Sequence, residues 1–578
     1  PITTLPETPP TPAVTPEEYW ALSNPKERYA RSSVIELLPD PLSPLFATLG
    51  VAAWNKAMKN LMTLLEPTEP WLAKLVAPIW SGMMSVDMLT TVRGYAYYDI
   101  GFMFEQPAKM LFATLGAIPL MLYVFGTART RWEQAHAAYE QIVRRWEATD
   151  LSKTPATQLF DGTREITIMA ADYYLTIQSG FLPAAYMSEM VFTEFYNRLI
   201  KRRDDPAALT FLLGYDSAPI RAEQSLYDLA QWVRGQAGLA EALQNMSGTQ
   251  FMAAYRGDDA SNIPATWSEF RQRFAAHLAR FGHTIYDLDF AKAVPADDPE
   301  ALLETFKFFL SGEAPNPQAR QAKAAAAREQ AVQTMLARLR GLRRSWFQRL
   351  VQWAQLFAPL REDGLADVGL GWPILRRMLR EIGSRLVRAG ALEQPDDVFW
   401  LTADELHIAV GRLDNGQPAN DYHVRVAERR ATWESASKFT PPVALPIKKK
   451  ITWLGMDLQR WLPARSDQTA GDVIKGIGSS PGRVTGPARV ISGPDEFNSM
   501  RRSDILVAKI TTPAWTPLFA LASGVVTDVG GPLSHSSIVA REYHIPAVLG
   551  TGVATERIKS DQQVTVDGDA GTVRMDNA

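Results

Sequence analysis

The sequence contains no cysteine, which removes disulfides, thiolate nucleophiles and sulfur-ligated metals together. Its seven histidines are scattered without an HExxH or similar pairing, so no dedicated metal site is expected. An excess of one charge is also missing: 60 Lys and Arg against 63 Asp and Glu leave a net charge of −3 with no extended basic stripe, which excludes an electrostatic footprint for nucleic acid. The most membrane-like run, Met110 to Phe125, is shorter than the roughly 20 residues a span needs and is interrupted by Pro119, so it reads as a buried helix. No signal-peptide pattern opens the sequence, and a cytoplasmic protein with no membrane partner is expected. There is no GxxxxGK[ST] loop. The stretch Gly476 to Gly482 lacks the strand-turn-helix with a downstream acid that a dinucleotide fingerprint needs, and reads as the opening turn of a domain.

What is present divides the chain. A length of 578 residues with 46% apolar content predicts two or more domains. Residues 1–18 are a Pro- and Thr-rich arm without enough apolar surface to order itself. Residues 19–439 read as a helical body, because apolar side chains recur at three and four, as in Ile166, Ala170, Tyr173, Tyr174 and Ile177. Within it, Gln318 to Leu350 reads as one long helix whose Arg338, Arg340, Arg343, Arg344 and Arg349 form a solvated face or dock an acidic partner. Residues 440–472 are a linker, and about ten extended residues reach on the order of 30 Å. Residues 473–578 switch to strand grammar around one short helix, giving an α+β multidomain fold.

The chemistry concentrates at His535. It follows Gly530, Gly531 and Ser534 and precedes the helical run Ile538-Val539-Ala540. A neutral imidazole there is a nucleophile, the glycines admit an anion to the backbone, and the helix start offers N–H groups and a positive dipole end to phosphate oxygens. A helix-capping turn with an incidental histidine is the plainer alternative.

The positions Thr527, Gly530, Gly531, Ser534, His535, Ile538, Ala540, Arg541, Glu542, Ile545, Pro546 and Val548 closely resemble the phosphohistidine swivelling domain of phosphoenolpyruvate-utilising enzymes, with Asp528 where many relatives have Glu. The resemblance implies a phosphoryl group on His535, with Thr527, Gly530, Gly531, Ser534 and Arg541 around it. The loop Thr511 to Leu518 resembles the one beside the phosphohistidine in that family. There Thr512 or Thr516 hydrogen-bonds the phosphoryl group or caps the following helix.

Upstream, Arg280 to Phe290 resembles the Gly-His-Arg motif in the acceptor domain of rifampicin phosphotransferases, with Thr284 in place of Arg. That places His283 as the base for an acceptor hydroxyl, with Asp287 as a trailing carboxylate; a buried structural histidine is the alternative. Arg361 and Glu362 belong to another resembling segment, as a phosphoryl-binding pair or an interhelical salt bridge. The large apolar residues around Tyr95 and Tyr98 read as core or as the lining of an aromatic acceptor pocket.

The ATP-grasp domain that precedes the helical body in this family, and the phosphoenolpyruvate barrel that follows, have no counterpart in the sequence. The arrangement resembles the α subunits of phenylphosphate synthases. It implies a dikinase-type phosphotransferase in which a separate ATP-grasp subunit, holding ATP and Mg2+, charges His535, and a phenol or other hydrophobic alcohol accepts the phosphoryl group. A split rifampicin-type phosphotransferase and a non-catalytic phosphocarrier are the alternatives.

Overall fold

Helices form where the apolar spacing is most regular. Ala156–Ser179 buries Ile166, Ala170, Tyr173, Tyr174 and Ile177 on one face, and Trp372–Arg388 buries Leu375, Met378, Leu379, Ile382 and Leu386. The computed structural model describes residues 16–24, 27–31, 37–64, 87–101, 107–236, 238–257, 264–442, 444–446, 452–453, 456–457, 471–531 and 534–576. The arm up to residue 15 and most of the 440–472 linker lie outside the described residues. The apolar run at 110–125 falls in the helix Pro107–Glu147. Among the described residues no helix is long and apolar enough to cross a membrane.

The fold is α+β and multidomain. Two compact units emerge, one of Pro1–Gly180, Asp287–Lys292 and Val368–Pro463, the other of Phe181–Tyr286, Ala293–Asp367 and Ala464–Ala578. This division cuts through the expected 19–439 body, because part of that body shares a core with the C-terminal sheet. Tyr286 and Ala301 join one buried cluster with Ile491, Phe497, Leu506, Trp515 and Leu518.

In the first unit the helices accompany an antiparallel sheet ordered Leu89–Val92, Tyr95–Asp99, Tyr29–Ala30, Ala444–Leu445. Its hairpin turns at Arg93 and Gly94, both with positive φ (53° and 84°), which matches the twist of the paired strands. Tyr95 and Tyr98 therefore lie on a strand, not on the expected helical lining. The Tyr95 hydroxyl donates to the Phe439 carbonyl at 2.9 Å, and Tyr98 packs on Trp54.

In the second unit eight strands run in the order Val473–Lys475, Thr572–Met575, Gln563–Asp567, Arg483–Ile491, Ile505–Ala508, Gly524–Thr527, Ala547–Leu549, Ile477–Ser480. From Arg483–Ile491 to Ala547–Leu549 the neighbours are parallel; the inner three, Ile505–Ala508, Gly524–Thr527 and Ala547–Leu549, are buried on both faces, hence their short apolar runs. The helix expected over 318–350 is two helices, Pro317–Arg338 and Gly341–Ala366. The break falls at Leu339 and Arg340, which are extended, and at Gly341 with φ 57°. Arg338 is held in a two-point pair with Asp205 (2.5 and 2.7 Å), whereas Arg340, Arg343, Arg344 and Arg349 are exposed.

Leu506 is fully buried at the centre of the parallel strands. Leu506→Ala is expected to cost about 2–5 kcal/mol, read as a lowered urea midpoint for the second unit; a loss under about 1 kcal/mol would contradict this packing.

Candidate active site

The strand Gly524–Thr527 delivers the chain to a tight turn ahead of the helix His535–Tyr543. Gly530 sits at φ 139°, and a Cβ there would press on Ser534 Oγ at 3.0 Å and Thr527 Oγ1 at 3.4 Å, so the turn requires glycine. Thr527 donates to the Val529 carbonyl (2.8 Å) and Ser534 to the Gly531 carbonyl (2.9 Å), and these bonds hold the turn in shape. Ser534 is the N-cap residue and His535 the first residue of the helix.

The His535 ring is buried between two partners. Its Nδ1 lies 3.3 Å from Glu362 Oε2, and its Nε2 lies 3.3 Å from Thr516 Oγ1. Glu362 is itself buried. Desolvation would raise its pKa, but the hydrogen bond from His535 and the charges of Arg361 and His535 outweigh that and hold it below the ordinary carboxylate range. A carboxylate at Nδ1 keeps the proton on that nitrogen and makes Nε2 the reactive one. The Thr516 hydroxyl already donates to the Pro513 carbonyl at 2.7 Å. It therefore accepts from Nε2–H in the charged ring, and loss of that proton frees the Nε2 lone pair.

Arg361 approaches Glu362 at 3.6 Å and lies over the Tyr186 ring at 5.1 Å. Of the other residues expected around the phosphate, Thr512 donates to the Ile285 carbonyl. Arg541 donates to the Ser479 carbonyl (2.6 Å) and pairs with Glu189 (3.6 Å), and burial pulls its guanidinium down to about 10. So Glu362 and Thr516 meet the ring, with Arg361 beside Glu362, while Thr512 and Arg541 tie the histidine segment to its surroundings.

His283 lines a separate cavity of about 220 Å³. Its Nε2 lies 3.0 Å from Asp367 Oδ1. The walls carry Leu226, Leu302, Phe281 and Phe309 beside Arg221, Arg280 and His277. Thr516 and Glu223 belong both to this wall and to that of a smaller cavity of about 70 Å³ that includes Arg361, Glu362 and Arg541. Thr516 thus touches the His535 ring and also faces the His283 cavity.

The carboxylate on His283 is Asp367, not the expected Asp287. Asp287 belongs to the first unit, where it pairs with Lys292 at 3.3 Å and burial pushes its pKa up to about 7. Tyr95 and Tyr98 also belong to the first unit and do not line the His283 cavity. Sequence reasoning missed Asp367, Glu189 and His277. Asp367 stands 84 residues from His283, and no local spacing signals such a pair. Among the described residues no group of three or more His, Asp or Glu is placed to hold a metal ion.

Two family matches fall on this geometry. Residues 500–571 match the family described as PEP-utilising enzyme, mobile domain, and residues 181–362 match the rifampicin phosphotransferase fourth domain. The second match starts at Phe181, where the second unit starts, and ends at Glu362. The chain is 29% identical over 361 residues to a rifampicin phosphotransferase of Streptomyces sviceus, covering 61% of this chain and 39% of that protein. It is 31% identical over 233 residues to the uncharacterized phosphotransferase YvkC of Bacillus subtilis, covering 40% and 27%. It is 28% identical over 389 residues to chondramide synthase cmdD of Chondromyces crocatus, covering 64% and 10%. The chain therefore spans well under half the length of each of these relatives.

His277 supplies a pH test of the cavity wall. Burial pulls its pKa from 6.5 to about 4. At pH above about 6.5 the ring is neutral folded or unfolded; between about 6.5 and 4 only the unfolded chain takes the proton, so this group's share of stability is lost as pH falls. The stability of the wild type relative to His277→Gln is expected to drop by about 1.4 kcal/mol per pH unit across that window, measured by urea unfolding at a series of pH values. A difference independent of pH would contradict the assignment.

Proposed function

We propose that this chain, which belongs to the phosphoenolpyruvate-utilising enzymes, is a phosphotransferase that carries a phosphoryl group on His535 Nε2 and passes it to the hydroxyl of an apolar alcohol held beside His283. The observation that carries this reading is the placement of Thr516. It is bonded to the His535 ring and forms part of the wall of the cavity that holds His283 and Asp367.

In this reading Glu362 holds the Nδ1 proton, so that Nε2 attacks the donor and later leaves as a neutral imidazole. Arg361 and the start of the helix at His535 offer positive charge to the phosphoryl oxygens. The acceptor hydroxyl loses its proton to His283, which Asp367 orients, as its oxygen bonds to phosphorus and the N–P bond breaks. A positioned base of this kind contributes roughly 10²–10⁴-fold. The donor is an ATP-grasp subunit with Mg2+, a part of the proposal that rests on the resemblance alone, and no residue of this chain is assigned to either ligand.

Two acceptor classes divide the support. The names of the relatives favour a rifampicin-type phosphotransferase over one acting on phenol. The cavity of about 220 Å³ lies below the roughly 300–1,000 Å³ of drug-sized sites, which favours a smaller alcohol. The test charges the chain with phosphoramidate and then offers phenol, a set of apolar alcohols and rifampicin, following transfer by mass spectrometry. Wild type is expected to phosphorylate at least one of them. His283→Ala should keep its phosphohistidine and lose about 10²–10⁴-fold in transfer, and His535→Ala should give none. Product from His535→Ala would overturn the reading.

A further inference from the structure

The His283 cavity holds a second imidazole that the transfer step does not use. His277 projects from the helix Trp267–Phe281 and is buried in the wall. Phe274 stacks on it at 6.2 Å and 11°, and Phe281 lies at 5.3 Å, so the ring cannot turn freely. Its Nδ1 is engaged by Ser225 Oγ at 3.0 Å, and no described residue bonds its Nε2. The wall around it mixes apolar side chains with Arg221, Glu223, Arg280 and His283, and an imidazole nitrogen screened from bulk water is costly to leave without a partner. Water can do so when no acceptor is bound, but an acceptor that fills the cavity must replace that bond or lose affinity.

Resting on the proposed function, we infer that the acceptor carries, besides the hydroxyl that receives phosphate, a second uncharged hydrogen-bonding group that His277 holds. Its neutral state sets the class of partner: a hydroxyl or carbonyl suits it, whereas a carboxylate or ammonium finds no opposite charge on the ring. A hydroxyl fits best, since it donates or accepts according to which way Ser225 fixes the tautomer. The charged neighbours have partners of their own or face solvent: Glu223 pairs with Arg320 and Asp367 with His283. Arg221 is occupied by Asp363 (3.0 Å) and Asp216 (3.3 Å), and Arg280 is exposed. His277 is thus a specificity-determining residue, and the substrate class is a small apolar ring or chain bearing two oxygen functions.

The test is a binding measurement that needs no phosphate on His535. Phenol, the three dihydroxybenzenes, 3-methoxyphenol and 4-hydroxybenzoate are titrated into the full chain by calorimetry, for wild type, His277→Phe, His277→Gln and His283→Ala, each first checked for folding by circular dichroism. At least one dihydroxybenzene is expected to bind wild type roughly three- to tenfold more tightly than phenol. That margin should vanish in His277→Phe, survive in part in His277→Gln and persist in His283→Ala. Equal binding of phenol and all three dihydroxybenzenes to wild type, a margin unchanged in His277→Phe, tightest binding of 4-hydroxybenzoate, or no binding by any of the series would each overturn the inference. Failure of phosphoryl transfer with the binding pattern intact would instead count against the proposed function alone.

Discussion

The buried pair of His535 and Glu362 is the interaction on which the site depends. Removing two ionisable groups from water costs several kcal/mol each, and a pair in such a setting is seldom a net source of stability. Here the cost is offset by a hydrogen bond on each ring nitrogen and by Arg361 near the carboxylate. The pair does fix which nitrogen keeps its proton. With Nδ1–H directed at Glu362, Nε2, beside Thr516, is the nitrogen that the proposed transfer uses.

Around that pair the second unit gathers the groups of the proposed transfer. The C-terminal sheet supplies the histidine at a helix start, and the helices of residues 181–367 supply Glu362, Arg361, His283 and Asp367. They share a core through Tyr286 and Ala301 on one side and Trp515 and Phe497 on the other. Further ties between the same two parts are Arg541 with Glu189, the Gly214 N–H donating to Glu542 at 3.2 Å, and Thr512 with the Ile285 carbonyl. Apolar burial and these few polar ties together hold the histidine segment against the helices of residues 181–367.

Legibility in the sequence followed the range of the interactions. The Gly530-Gly531 turn, the helix after His535 and the short apolar strands are set by a few adjacent residues and are readable from spacing and side-chain type, whereas the parallel pairing of those strands is not. The edge strand Ile477–Ser480 reads as a turn, since Gly478 and the flanking Gly476 and Gly482 mask a strand whose partner, Ala547–Leu549, lies far along the chain. Asp287 stood out because it is close to His283 in sequence, yet the chain carries it into the other unit, and Asp367 takes its place across 84 residues. Tyr95 and Tyr98 misled for a related reason. Aromatic side chains look alike in a core and in a pocket, and only the Arg93-Gly94 turn, read as a hairpin, would have moved them onto a strand.

The most direct measurement is the position of phosphate on the charged protein. After incubation of the full chain with phosphoramidate, phosphorus-31 and proton NMR distinguish a phosphoramidate on Nε2 from one on Nδ1, and peptide mapping locates the residue. The pairing of Nδ1 with Glu362 predicts a single adduct at Nε2 of His535, and a lower yield in Glu362→Leu. Phosphate on Nδ1, or on a residue other than His535, would contradict it.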